Sequence, residues 1–175
     1  MKQDEHKTMQ HHRGAGTMKD YSSPLEQKKH YRKFGLMVVL SFIAMYVLMY
    51  SMVDAFSNVF PNVNQFYMAG LMAAPMALIE ILVMSSMYLN KKLNALIIGG
   101  SIVLLIAFFI GIRQQVAVSD KQFLKSMIPH HAGAILMCEQ ANITDPDIRK
   151  LCTEIKESQQ REISQMKAKL NELKK

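Results

Sequence analysis

Long parts of this 175-residue sequence carry no basic residue at all. Lys and Arg occur only before residue 34, at 91 and 92, and from 113 onward, and the stretches between hold two acids, Asp54 and Glu80. That unevenness weighs against a water-soluble core with its apolar residues spread at a regular period. Catalytic patterns are missing as well. No nucleophile stands with a base, and there is no glycine-rich phosphate loop or haem motif, so the chain does not read as an enzyme. No Glu-x-x-His pair occurs, which removes the paired motifs of a ferritin-type di-iron centre. A secretory signal is lacking too: more than thirty polar residues precede the first apolar block, and no small-residue cleavage site closely follows it. That block reads as an uncleaved anchor.

Apolar blocks, basic flanks and methionine are what the sequence does contain. There is no Trp, but fifteen Met, far above ordinary usage. The net charge of +7 comes from residues clustered beside the apolar blocks. Anionic lipid headgroups, rather than nucleic acid, are the expected partner of such flanks. Residues 34–53, 66–89 and 93–112 are each about long enough to cross a hydrocarbon core of about 30 Å. The sequence therefore predicts three transmembrane helices, the last two an antiparallel pair joined by Asn90, Lys91 and Lys92. Lys28, Lys29, Arg32, Lys33, Lys91 and Lys92 flank the spans on one side, and the 54–65 loop has no base. The positive-inside rule then puts the N-terminus in the cytoplasm of a multi-pass inner (plasma) membrane protein, with everything after Arg113 extracytoplasmic. Residues 1–33 read as a disordered tail whose His6, Met9, His11, His12 and Met18 form a loose metal-binding tract or a solvated segment.

Within the spans, Ala69, Ala73 and Ala77, and likewise Ala95 and Gly99, recur every fourth residue and read as close-packing stripes. Glu80 is expected near the middle of the second span, either protonated and packed or serving an ion or proton role, with Pro75 freeing a carbonyl nearby. Met45, Met49 and Met52 share a face of the first span, and Met68, Met72 and Met76 a face of the second. Gap-filling or lipid contact explains them, and so does a thioether ladder for a soft cation.

Residues 113–175 read as two helices, about 120–141 and 146–173. Ser119 with Gln122 predicts a capping box, and Asp145 an N-cap before Pro146. Met127, His130, His131, Met137 and Cys138 fall within about a third of the first helix's circumference. If the hairpin closes at 142–145, His131 is level with about residue 156, and Gln159 and Glu162 come opposite the histidines. Thioethers with imidazoles favour Cu(I) or Ag(I); zinc fits less well. Pro129 marks either a bend aiming both imidazoles at one point or the helix start. Cys138 and Cys152 are placed for a disulfide or as two soft ligands. So short a hairpin buries little core, which predicts a homo-oligomer completing a four-helix bundle.

The run Phe123-Leu-Lys-Ser-Met127-Ile-Pro-His130-His131-Ala-Gly-Ala, with Asp147-Ile-Arg-Lys-Leu and Gln159-Gln-Arg-Glu162-Ile-Ser-Gln-Met166, resembles the domain-of-unknown-function family 305 over about residues 118–173. That resemblance implies a ferritin-like helical fold and, as in some members, copper binding outside the cytoplasm. It implies Met127, His130, His131, Met137, Gln159, Glu162 and Met166 as the characteristic residues, with Cys138 and Cys152 outside the motif. The expected function is a membrane-anchored metal-binding protein, for copper tolerance or delivery, with ligands Met127, His130, His131, Met137, Glu162 and Met166. The competing readings are a structural or oligomerisation module without metal, and a subunit of a metal transport system.

Overall fold

The computed structural model of the protein describes residues 23–173. Among them are five α-helices and no strand: α1 (Pro24–Leu48), α2 (Val63–Val83), α3 (Lys91–Arg113), α4 (Asp120–Gln140) and α5 (Pro146–Glu172). Two short 3-10 turns, Met49–Met52 and Phe56–Asn58, follow α1. α1 with its 3-10 extension, α2 and α3 are each long and apolar enough to cross a membrane.

Four of the five helices start on a side chain that accepts an otherwise unpaired N–H of the first turn. Ser23 accepts from Glu26 N, Asn62 from Gln65 N, Asn90 from Leu93 N, and Asp145 from both Asp147 N and Ile148 N. The Ser23 cap, with Pro24 at the first helical position, starts α1 well before residue 34, so residues 24–33 are helix rather than disordered tail. His6, Met9, His11, His12 and Met18 lie outside the described residues.

α2 is the middle helix of the apolar unit, packing against both α1 and α3. Its small residues Ala69, Ala73 and Ala77 are buried, as the spacing predicts, and so are Gly70 and Ala74. A Cβ at Gly70 would collide with the ring of Phe108, so glycine there is what lets α3 approach. Phe66 stacks edge-on between Phe42 of α1 and Phe108 of α3, at centroid distances of 5.2 and 5.8 Å, and ties the three helices together. The expected α3 stripe is not at this interface: Ala95 and Gly99 are exposed, and Ser101 and Gly111 are the buried positions.

α2 also ends earlier than its apolar run suggests, at Val83 rather than 89, and residues 84–90 form the link to α3. Polar side chains of the flanking helices satisfy this link's backbone. Gln27 donates to the Met87 carbonyl and accepts from Leu89 N, while Asn94 donates to the Tyr88 carbonyl. Glu80 therefore sits in the last turn of α2, not at its middle, and accepts a 3.2 Å hydrogen bond from the Tyr88 hydroxyl.

α4 and α5 form an antiparallel hairpin at the opposite end of the unit, beside the segment that joins α1 to α2. Ile128, Ala132, Ile135, Ile163 and Leu170 are its buried core, and Val53, Phe60, Leu124 and Met166 pack around them. Val53 and Phe60 belong to the α1–α2 connection, so this core is completed from within the chain. The connection from α3 to α4 passes through Gln115 (φ 50°) and Ala117 (φ 57°), a left-handed backbone that non-glycine residues adopt at a cost of about 1–2 kcal/mol each. Asn64 donating to the Gln115 side chain and Tyr67 donating to the Val116 carbonyl hold it in place.

Candidate metal-binding site

Two structural devices set the hairpin's register. Cys138 and Cys152 form a disulfide with a Cα–Cα distance of 5.3 Å beside the loop, which decides between the two readings of that pair. Farther along the hairpin, His131 Nε2 lies 2.6 Å from Glu162 Oε2. The disulfide pairs 138 with 152, which brings residues near 159 rather than 156 level with His131, and the Glu162 side chain reaches His131 from the next turn of α5.

His131 is buried in the seam between α4 and α5. Its Nδ1 faces the Met127 carbonyl at 2.9 Å, so both ring nitrogens are engaged with oxygens. Ser158 donates to the other oxygen of Glu162 at 2.8 Å. The Ser158 hydroxyl, and after it His131, hold the Glu162 carboxyl below the usual carboxylate range. Met166 packs against the hairpin's apolar core. Three of the six expected ligands, His131, Glu162 and Met166, therefore lie in the seam.

The other three lie beside that seam, about 40–120° around α4 from His131. Met127, His130 and Met137 line a cleft of about 520 Å³ between α4 and the ends of α1 and α2. The helix runs unbroken through Pro129, so the adjacent imidazoles diverge by about 100° around its axis, with ring centroids 6.1 Å apart, instead of converging. The facing wall includes Met49, Met52 and Met68, which the sequence shows only as members of separate helix faces. The signal that could have found them is topological: Met49, Met52 and Met68 are at the ends of α1 and α2 on the hairpin side.

Polar bonds from α2 fix this arrangement. The side chain of Gln122 does not close a capping box; it accepts from Val63 N at 3.2 Å, and Ser119 makes no side-chain cap. Asn64 donates to Ser126 Oγ at 3.3 Å, while its own Oδ1 is buried without a hydrogen-bond partner. α4 also runs close to the end of α1, where a Cβ on Gly133 would be 3.4 Å from the Met52 carbonyl oxygen. No Asp, Glu, Lys or Arg among the described residues lines the cleft. Among the described residues, no three His, Cys, Asp or Glu side chains converge as a metal site. What the cleft offers a ligand is neutral: thioether sulfur, one imidazole, and the amide and hydroxyl groups of Tyr50, Asn62, Asn64, Gln65 and Ser126.

Residues 110–170 match the family described as Domain of unknown function (DUF305). The chain belongs to this family. The DUF305 segment takes in the end of α3 and nearly all of α4 and α5, hence the whole Met127–Met166 motif, whereas Met49, Met52 and Met68 lie outside it. An uncharacterized protein of Acanthamoeba polyphaga mimivirus is 39% identical over 142 residues, covering 79% of this chain and 91% of that protein. A match of that length extends beyond the DUF305 segment into the apolar helices. No solved structure matches the chain.

Proposed function

We propose that this DUF305 protein is a membrane-anchored binder of a soft metal ion, copper above all as Cu(I), acting in metal tolerance or delivery rather than catalysis. The observation that carries this reading is the cleft wall of Met127, His130 and Met137, soft and neutral donors with no charged side chain beside them. Thioether and imidazole ligands select Cu(I) over hard cations, and zinc prefers thiolate, imidazole or carboxylate sets.

The anchor is the three apolar helices, whose outward residues such as Leu36, Val39, Leu40 and Ile43 are more than half exposed and suit lipid. Lys28, Lys29, Arg32 and Lys33 share one end of the unit with Lys91 and Lys92, tied by Tyr31 donating to Asn94. This supports a cytoplasmic N-terminus and an extracytoplasmic hairpin, and the Cys138–Cys152 disulfide suits an oxidising compartment.

A specific observation favours pairing with a second copy. Phe123, Ile148 and Leu151 stay about half exposed on the hairpin, so another hairpin covering them would complete a ferritin-like four-helix bundle. If pairing were the whole function, the bundle would form in chelator and ignore metal.

Metal analysis of the purified full chain, followed by Cu(I) and Zn(II) titration in nanodiscs, tests the proposal. The full chain is required because Val53 and Phe60 complete the hairpin core. Tight Cu(I) binding is expected, weakened about tenfold or more by His130→Ala with Met127→Leu. No Cu(I) binding, or a double variant that binds like the parent, would overturn it.

A further inference from the structure

The cleft has two walls, and the proposed function draws on the α4 wall alone. Met49 and Met52 come from the 3-10 extension of α1, and Met68 from the early turns of α2. We propose that Met49, Met52 and Met68 complete a single thioether-rich site with Met127, His130 and Met137, holding a soft monovalent cation of the Cu(I) or Ag(I) class between the apolar helices and the hairpin. The inference rests on the metal-binding reading above and adds that the anchor supplies ligands.

Five of the chain's fifteen methionines line this one cleft, from three different elements. Gap-filling Met would be buried in a core, as flexible thioethers are where they plug voids. Here Met52, Met68 and Met137 are 54%, 43% and 55% exposed, so these side chains do not plug a void in a packed core. Charge identifies the class of ion. With no carboxylate among the described residues on the cleft, a hard divalent cation would surrender its hydration shell without anionic compensation. A weakly hydrated soft monovalent ion is matched by polarisable neutral sulfur. The two walls are held in advance of any ion, by Gln122 on Val63, Asn64 on Ser126 and the contact of Gly133 with the end of α1. With the walls already in place, only the side chains have to be ordered on binding.

The test uses the full chain in nanodiscs with methyl-labelled methionine, titrated with Ag(I) as a redox-inert probe. The methyl signals of Met49, Met52 and Met68 should move with those of Met127 and Met137 and saturate at the same ratio, while Met72 and Met76 stay still. The volume-conserving triple variant Met49→Leu, Met52→Leu, Met68→Leu should bind Ag(I) about tenfold or more weakly at unchanged melting temperature. Movement of Met127 and Met137 alone, or a triple variant that binds like the parent, would overturn this inference and leave the hairpin site standing. No methionine response at all would overturn both. If the triple variant does not fold, the titration of the parent chain decides.

Discussion

His130 and His131 are neighbours in the chain but belong to two different regions of the molecule. His131 closes the seam between α4 and α5, its two nitrogens engaged with Glu162 and Met127. His130 is exposed about a quarter-turn around the helix, in a cleft of sulfur and amide groups. One residue step on a helix turns the side chain by about 100°, so an adjacent pair is divided between two surfaces unless the helix breaks. Pro129 does not break it. On the proposed function, this His-His pair joins a structural group to a binding group, with the first holding the helix in the rotation that presents the second.

The largest effect that would break this division is in the seam's core. Ile128 is fully buried, and Ile128→Ala should destabilise the hairpin by about 2–5 kcal/mol, read as lost amide-exchange protection in α4 and α5. Retained protection would mean the seam does not depend on that core. Next is the covalent clamp. Reducing the disulfide, or Cys138→Ser, opens a loop with a sequence separation of 14, for which about 3 kcal/mol is expected in a melt of the hairpin.

The histidines themselves sharpen the comparison. His131→Ala leaves Glu162 without its partner and should cost about 1–3 kcal/mol of stability while changing Cu(I) affinity by less than about twofold. His130→Ala should do the reverse, with stability within about 0.5 kcal/mol and Cu(I) affinity down about tenfold. Equal loss of affinity in both variants would show that the two surfaces act as one site.

The smallest effect is the pH response of the seam. Hydrogen bonds from Ser158 and then His131 lower the folded value of Glu162. Its contribution to stability is therefore complete above the ordinary carboxylate range and is lost as pH falls through the depressed folded value. Melts at descending pH should show this decline, and Glu162→Gln should flatten it. An equally steep decline in that variant would place the acid sensitivity elsewhere.

Much of the fold was legible because its signals are local. The 34–53, 66–89 and 93–112 runs announce three apolar helices, and Asp145 followed by Pro146 announces the start of α5. Boundaries failed where polar partners lie far away in sequence. The link that follows α2 is held by Gln27 and Tyr31 of α1, and Gln122 deserts its expected cap for Val63. The site was half legible: Met127, His130 and Met137 do share a cleft, whereas His131, Glu162 and Met166 turn into the seam.

By itself the sequence determined the number of helices, their apolar or amphipathic character and the placing of the DUF305 motif on α4 and α5, since periodicity and capping act over a few residues. Only the tertiary structure decided which faces meet. It brought Val53 and Phe60 into the hairpin core, and set Met49, Met52 and Met68 across from Met127 and Met137. The rotation and register of one helix against another are set by contacts between residues far apart in the chain, and no local pattern encodes them.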